Sequence, residues 1–175
     1  CLALDTGGVD DKSFNASAWA GAQAAAKADK NVTAKYLAAT SDADYAPNIK
    51  KLVDEKCNII VGVGFLINNA IVAAAKANPT VNFAIVDQDG EDHGADGSVY
   101  PGTKFANLKP LQFSTNESAF QAGYLAAGVS KTGKVATYGG LNIPPVTIFM
   151  DGFAKGVAHY NKGKGKTVTV LGWDT

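Results

Sequence analysis

Short apolar strands alternate with alanine-rich helical segments along this chain, and this alternation constrains the fold more than any other feature of the sequence. The predicted strands of the first half are 2–5, 32–39, 59–63 and 81–86, and helical periodicity fills the segments between them. The strands are almost uninterrupted in their apolar character, which is typical of parallel strands covered by helices on both faces. The sequence therefore predicts an α/β chain with a doubly wound parallel sheet.

The same rhythm continues after a Gly- and Asp-rich irregular segment at 87–103. We expect a last strand of the first sheet within 105–113, then a helix through Phe120 and Tyr124. The second half predicts a strand at 134–138, a Gly/Pro loop at 139–146, a helix at 148–160 and a strand at 167–171. The predicted organisation is a Rossmann-like lobe (1–113), a connecting helix and hinge crossing (114–133), and the start of a second, incomplete α/β lobe (134–175).

Charge and composition exclude several classes of function. Lys+Arg and Asp+Glu both number 16, so the formal net charge is zero, and no basic stripe interleaved with aromatic residues is present. Nucleic acid is therefore not an expected partner. His93 and His159 lie far apart with no Cys/His cluster near either, so neither a metal site nor a cofactor is predicted.

Both ends of the sequence, and its two cysteines, suggest a processed piece of a longer chain. The sequence opens inside a strand pattern without Met and stops just after another strand. Cys1 and Cys57 precede strands that we expect to be parallel neighbours, so a disulfide between them is geometrically possible. Two buried free thiols, or a lipid-modified Cys1, are the alternatives that the residues leave open.

Acidic and aromatic residues follow three predicted strands at the edge where ligands bind in open α/β sheets. Asp5 ends the first strand, Phe65 follows the third, and Asp87 follows the fourth. A carboxylate at such a position is costly to bury unless a ligand or the protein donates hydrogen bonds to it. Sugar hydroxyl groups are suitable donors, so these three residues are candidate ligand contacts.

The loop between the first strand and the first helix is the richest candidate segment. It contains a Gly-Gly turn followed by Asp10, Asp11, Phe14 and Asn15. Phe14 could stack on a ligand or serve as a core residue, and the two acids could bind ligand or act as helix-start charges. In the second lobe, the loop 139–146 leads to Phe149 and Asp151, and Phe149 could likewise be core.

Five segments together resemble a known family. Residues 5–15, 64–65, 122–127, 139–146 and 149–153 read DTGGVDDKSFN, GF, AGYLAA, GGLNIPPV and FMDGF. In that order they resemble the basic membrane protein family, the substrate-binding lipoproteins of bacterial ABC importers. The resemblance extends over essentially the whole chain.

The resemblance implies a type I periplasmic-binding-protein fold, with strand order 2-1-3-4-5, that closes on a nucleoside, expected to be a purine. It implies that Phe14 and Phe149 stack on the two faces of the base. Asp11 and Asn15 would hydrogen-bond the base or the ribose, and Asp87 would contact the ligand. It also implies an ABC permease as partner and an exported location, with a lipid anchor upstream of this chain.

One enzymatic alternative remains open at the level of sequence. Asp5, Asp10 and Asp11 could hold a metal ion for phosphoryl or nucleoside chemistry on the same fold. No His or Cys approaches these acids in sequence, so this alternative lacks a base or nucleophile. A ligand-binding regulator or a surface adhesin built on the same lobes is the remaining alternative.

Overall fold

The computed structural model describes residues 1–94, 99–100 and 104–173. It separates into two compact units, Cys1–Gln112 and Phe113–Thr175. The strands are β1 Leu2–Thr6, β2 Tyr36–Ala39, β3 Ile59–Val63, β4 Asn82–Val86, β5 Asp92–His93, β6 Val99–Tyr100, β7 Leu108–Leu111, β8 Lys134–Ala136 and β9 Thr169–Leu171. The helices are α1 Phe14–Ala28, α2 Tyr45–Asp54, α3 Asn68–Ala77, α4 Thr115–Val129 and α5 Pro144–Lys164.

The first unit contains a five-stranded sheet in the order β2-β1-β3-β4-β7, and all its neighbouring strands are parallel. Since β7 is the fifth strand of this sheet along the chain, the order 2-1-3-4-5 is confirmed. The short strands β5 and β6 form a separate antiparallel pair within the segment expected to be irregular. Part of that segment, 95–98 and 101–103, lies outside the described residues.

Helices cover both faces of this sheet because side chains alternate along each strand. On one face, Leu2 and Leu4 of β1 pack with Val63 and with Trp19 of α1. On the other face, a larger cluster joins the sheet to α2 and α3, and its fully buried members include Ile60, Ile71 and Ile85. Each such side chain stabilises the fold by about 1.5–3 kcal/mol relative to an exposed one.

A disulfide joins Cys1 to Cys57, with their Cα atoms 6.0 Å apart. Cys1 precedes β1 and Cys57 precedes β3, and β1 pairs with β3. The bond therefore lies at the amino-terminal edge of the sheet, the edge at which these parallel strands begin.

In the second unit, α4 and α5 pack so closely that their backbones touch at glycines. A Cβ added at Gly123 would overlap the carbonyl oxygen of Phe153, and one added at Gly156 would overlap that of Phe120. Strands β8 and β9 form a parallel pair in the same unit. Only glycine leaves room for these two backbones to approach so closely.

Several element boundaries differ from the sequence prediction. β2 begins at Tyr36 rather than at Val32, because the N–H of Val32 is bound in a turn to the carbonyl of Asp29. β8 and β9 are shorter than expected. α5 begins at Pro144 rather than at Ile148, since proline fits the first helical turn, where its missing N–H needs no partner.

α5 also extends to Lys164, beyond residue 160, where the predicted helix ends. It ends at Gly165, which has φ +61 and takes the left-handed conformation that closes many helices.

Candidate functional site

The carboxyl ends of β1, β3 and β4 lie side by side, and their register determines which residues meet there. Leu4 pairs with Val63, and Val63 pairs with Val86. One position further along, this register aligns Asp5, Gly64 and Asp87 on three adjacent strand ends. We call the surrounding group of residues the strand-end site; its members are Asp5, Asp11, Phe14, Asn15, Phe65 and Asp87.

Asp5 contacts the backbone of the neighbouring strand end directly. Gly64 has φ +96, and a Cβ added to it would overlap Oδ2 of Asp5. Glycine is therefore needed at position 64 for two reasons. Its backbone has a positive φ, and a side chain would occupy the space of the Asp5 carboxylate.

Asp5 is half-buried, and its ionisation reflects that position. Burial raises the pKa of Asp5, and the negative charge of Asp11 adds to this shift. A hydrogen bond from Nδ2 of Asn15 to Oδ1 of Asp5, at 3.1 Å, opposes the shift without cancelling it. The carboxylate is therefore short of hydrogen-bond donors, and a ligand hydroxyl group would supply one.

Asn15 is the second residue of α1 and is fully buried. Its Nδ2 binds Asp5, but its Oδ1 has no hydrogen-bond partner within the described part of the chain. An unsatisfied buried acceptor costs about 1–3 kcal/mol, so such an atom calls for an explanation. A ligand N–H or O–H directed at Oδ1 would explain it.

Asp11 acts as the cap of α1. Its Oδ1 accepts hydrogen bonds from the backbone N–H groups of Ser13 and Ala16, and its Oδ2 accepts one from Asn15. Desolvation would raise the pKa of Asp11, but these three donors outweigh it and hold the pKa below its usual value. A carboxylate has about four acceptor positions, so one is left for a ligand.

Neither Phe14 nor Phe149 belongs to the hydrophobic core. The exposed fraction is 41% for Phe14 and 43% for Phe149, whereas Phe65 is partly buried. Phe14 is the first residue of α1, next to the buried Asn15. An exposed phenyl ring beside acidic and amide groups is suited to stacking on a flat ligand.

Asp87 is held in an unusual backbone conformation. Its φ is +63, in the left-handed region that residues other than glycine seldom occupy, and its N–H donates to the carbonyl of Leu111 at 2.9 Å. Burial raises the pKa of this carboxyl group. Backbone strain of this kind is concentrated at functional sites.

In the second unit, Phe149 and Asp151 both lie on α5. Oδ1 of Asp151 accepts a hydrogen bond of 2.8 Å from Nε1 of Trp173. Asp151 also lines a cavity of about 510 Å³, whose other lining residues are Asn116, Glu117, Phe120, Gln121, Ile148, Gly152 and Lys155. Part of the hydrogen-bonding capacity of Asp151 is thus used within the second unit.

Sequence reasoning missed the residues that hold the candidate contacts in place. Trp173 binds Asp151, and Asn68 and Asn69 bind the loop that follows β4. The sequence signal for the asparagines was present, because two polar residues open a helix directly after the Gly-Phe loop. Their partners lie more than 20 residues away in the chain, so no local pattern could identify them.

The metal set of the enzymatic alternative is not assembled. Asp10 is exposed, and the oxygens of Asp11 point at the start of α1. Within the ranges that the structure describes, no three His, Cys, Asp or Glu side chains form a group able to hold a metal ion. Among the same described residues, no helix is both long enough and apolar enough to cross a membrane.

Comparison with known proteins shows that the chain is similar to substrate-binding proteins of ABC transporters. The profile of a family described as "ABC transporter substrate-binding protein PnrA-like" matches residues 2–172. The chain is 35% identical over 158 residues to the ABC transporter nucleoside-binding protein BmpA of Lactococcus lactis, covering 89% of this chain and 42% of that protein. It is 34% identical over 156 residues to basic membrane protein D of Borreliella burgdorferi, covering 89% of this chain and 42% of that protein.

Solved structures agree with the sequence relatives. An ABC transporter solute-binding protein from Aeropyrum pernix K1 matches with a TM-score of 0.76 and 28% identity, over 97% of this chain and 45% of that one. GanP, a glucose-galactose binding protein from Geobacillus stearothermophilus, matches with a TM-score of 0.64 and 17% identity, over 97% and 56%. The latter likeness shows the fold alone. The chain spans less than half the length of the curated relatives it matches.

Proposed function

Because this chain belongs to the PnrA-like family of ABC transporter substrate-binding proteins and has the type I periplasmic-binding-protein fold, we propose that it binds a nucleoside as part of the solute receptor of a bacterial importer. The observation that carries the proposal is the strand-end site. There, two half-buried carboxyl groups, an unsatisfied amide oxygen and an exposed phenyl ring are grouped around one sheet edge.

Each group at this site suits one part of a nucleoside. The Asp5 and Asp87 carboxylates accept ribose O–H groups, and Oδ1 of Asn15 accepts an N–H or O–H. The ring of Phe14 stacks on the base, an interaction worth about 1–3 kcal/mol. The acids also disfavour phosphate, so the expected ligand is a nucleoside rather than a nucleotide. Phe149 and Asp151 are proposed as further ligand residues.

A receptor of this kind delivers its ligand, chemically unchanged, to a permease. The partner proposed from the family is the ABC permease, and the proposed location is outside the cytoplasm, with a lipid anchor upstream. The Cys1–Cys57 disulfide supports export, since disulfides persist in oxidising compartments. The enzymatic alternative has no observation in its favour.

Titration calorimetry with guanosine, inosine, adenosine and the matching 5′-monophosphates tests the proposal. We expect saturable binding of at least one purine nucleoside, weaker binding of its monophosphate, and recovery of intact nucleoside by chromatography. Binding raises the melting temperature of a receptor, so a thermal scan supplies a second measurement. Release of free base, or no binding of any nucleoside, would contradict the proposal.

Substitution of Phe14 tests the stacking role. We expect Phe14→Ala to weaken nucleoside binding by about 1–3 kcal/mol, the free energy of one base–aromatic stack. Val32 is exposed to a similar degree, at 40%, and lies beside the disulfide at the opposite sheet edge, so Val32→Ala is the matched control. Equal nucleoside affinities for Phe14→Ala and Val32→Ala would show that Phe14 does not stack on the ligand.

A further inference from the structure

The loop that follows β4 begins with Asp87 and is closed by its own side chains. Oδ1 of Asp89 accepts the backbone N–H of Glu91 at 3.0 Å and lies 2.7 Å from Nε2 of His93. At its start, the N–H of Asp87 is bonded to Leu111. The loop therefore has an ordered core, but these bonds alone do not attach its far end to the sheet or to a helix.

Two consecutive asparagines at the start of α3 attach this end to a helix, in addition to the ion pair between Lys104 and Glu91. Nδ2 of Asn69 donates to the carbonyl of His93 at 2.7 Å, and Oδ1 of Asn69 accepts the N–H of His93 at 3.1 Å. Nδ2 of Asn68 donates to the carbonyl of Glu91 at 2.6 Å. We call Asn68 and Asn69 the asparagine clamp. It ties the loop after β4 to the start of α3, which Leu66 and Ile67 separate from Phe65.

Asn68 is placed at a cost. It is 2% exposed, and its Oδ1 has no hydrogen-bond partner among the residues described. A buried acceptor without a partner destabilises the fold, and an apolar side chain of similar size would avoid that penalty. What the asparagine provides in return is the bond to Glu91, which an apolar side chain cannot make. Local stability given up in this way is typical of a functional position.

We propose that the asparagine clamp is a positioning device for the ligand carboxylate of Asp87, holding its loop in the conformation that binds. The inference rests on the proposed function. Asp87 occupies a left-handed conformation, which aspartate adopts more readily than most residues but less readily than glycine, so its direction depends on what holds the chain on both sides. The bond to Leu111 holds one side, and the clamp contributes to holding the other, together with the Glu91–Lys104 ion pair. Without the clamp, the binding conformation is only fractionally populated, and affinity falls by that fraction.

The first test uses Asn69→Ala, because Asn69 is exposed and its replacement leaves the core intact. Hydrogen exchange should show faster exchange of the His93 amide, whose N–H loses its acceptor, with or without ligand. Nucleoside affinity should fall about five- to tenfold, as expected when two hydrogen bonds no longer favour the bound conformation.

Asn78→Ala is the matched control at the other end of the same helix. The side chain of Asn78 donates to the carbonyl of Ala74, within α3 and away from the loop. We expect this variant to lower the melting temperature while leaving affinity and His93 exchange unchanged. An equal loss of affinity in both variants would show that affinity depends on the stability of α3 in general and not on the clamp. That result would overturn the inference.

A double substitution then separates positioning from direct contact. If Asn69 acts through Asp87, Asn69→Ala should have little further effect on affinity in an Asp87→Asn background. Independent, multiplying losses would overturn the inference, as would unchanged His93 exchange in Asn69→Ala. If the unsubstituted protein binds no nucleoside, the proposed function fails, whereas the exchange measurement still decides whether the clamp holds the loop.

Discussion

At the scale of single residues, the strand-end site depends on groups whose hydrogen-bonding capacity is incompletely used. Asn15 buries an oxygen without a partner among the described residues, and Asp5 and Asp87 are half-buried acids with few donors. Such groups reduce the stability of the ligand-free protein, and a ligand that donates hydrogen bonds recovers part of that loss.

Gly64→Ala should abolish or strongly weaken nucleoside binding, because the added Cβ displaces the Asp5 carboxylate. Gly133→Ala is the control, since Gly133 also has a positive φ, +69, but its Cβ would meet nothing within 4 Å. Both variants place alanine at a positive φ, so both should lose thermal stability, and Gly64→Ala should lose more because its Cβ also overlaps Asp5. Affinities measured by calorimetry should differ, and a Gly64→Ala variant that binds normally would show that the position of Asp5 is unimportant.

At the scale of elements, the strands and helices of the first unit could be predicted because their apolar patterns are local. β1, β3 and β4 appear within a residue or two of their predicted positions. The start of α5 could not be placed, since the pair Pro144-Pro145 reads as a loop in sequence yet fits a first helical turn.

The placement of the candidate residues at the strand ends was predictable to the same extent, whereas their role in binding stays a prediction. The rule that ligands bind at strand ends located Asp5 and Asp87, but it could not reveal the contact between Asp5 and Gly64. Nor could it reveal the capping bonds of Asp11, which depend on how the loop folds back on α1. The partners of Asn68 and Asn69 are likewise set by tertiary structure.

The close approach of α4 and α5 predicts opposite effects for one substitution at two positions of α5. Gly156→Ala places a methyl group against the Phe120 carbonyl and should destabilise the second unit by about 1–3 kcal/mol. Gly163→Ala meets nothing within 4 Å, so its helix propensity should stabilise α5 by up to about 1 kcal/mol. Urea unfolding measures both, and destabilisation of equal size would argue against backbone contact at Gly156.

At the scale of the whole molecule, the affinity of the first unit should depend on pH. The raised pKa values of Asp5 and Asp87 mean that these groups take up protons at a higher pH than ordinary aspartates. Protonation removes the charged acceptor, so affinity should decrease as the pH falls from neutral through the raised pKa values of these two groups. Calorimetry across this range should show a flatter profile for Asp87→Asn than for Asp10→Asn, in which an exposed acid is replaced.

Asp5 and Asp87 have the opposite effect on the stability of the fold, which they increase as the pH falls. Because the folded state holds their protons more tightly than the unfolded state, their contribution to the free energy of unfolding rises as the pH falls through the raised pKa. Asp11, whose pKa is lowered, contributes stability above its unfolded pKa and loses it in acid. An affinity that stays constant down to the acid unfolding transition would contradict a role for Asp5 and Asp87 as ionised ligand acceptors.

The disulfide and the strand-end site lie at opposite edges of the sheet. Loss of the disulfide should therefore lower the stability of the fold without changing its affinity for ligand. The bond closes a loop with a sequence separation of 56, for which a chain-entropy estimate gives about 4 kcal/mol. Reduction, or the double substitution Cys1→Ser with Cys57→Ser, should lower the unfolding temperature with little change in affinity below the transition. A parallel loss of affinity would show that the two edges are coupled.

Both cysteines of the sequence are consumed by this bond. A cysteine introduced elsewhere would therefore be the sole reactive thiol, and a dye could be attached to it without protecting groups. Leu66 is exposed and follows Phe65 of the strand-end site, so Leu66→Cys carrying an environment-sensitive fluorophore would turn the chain into an optical biosensor for its solute.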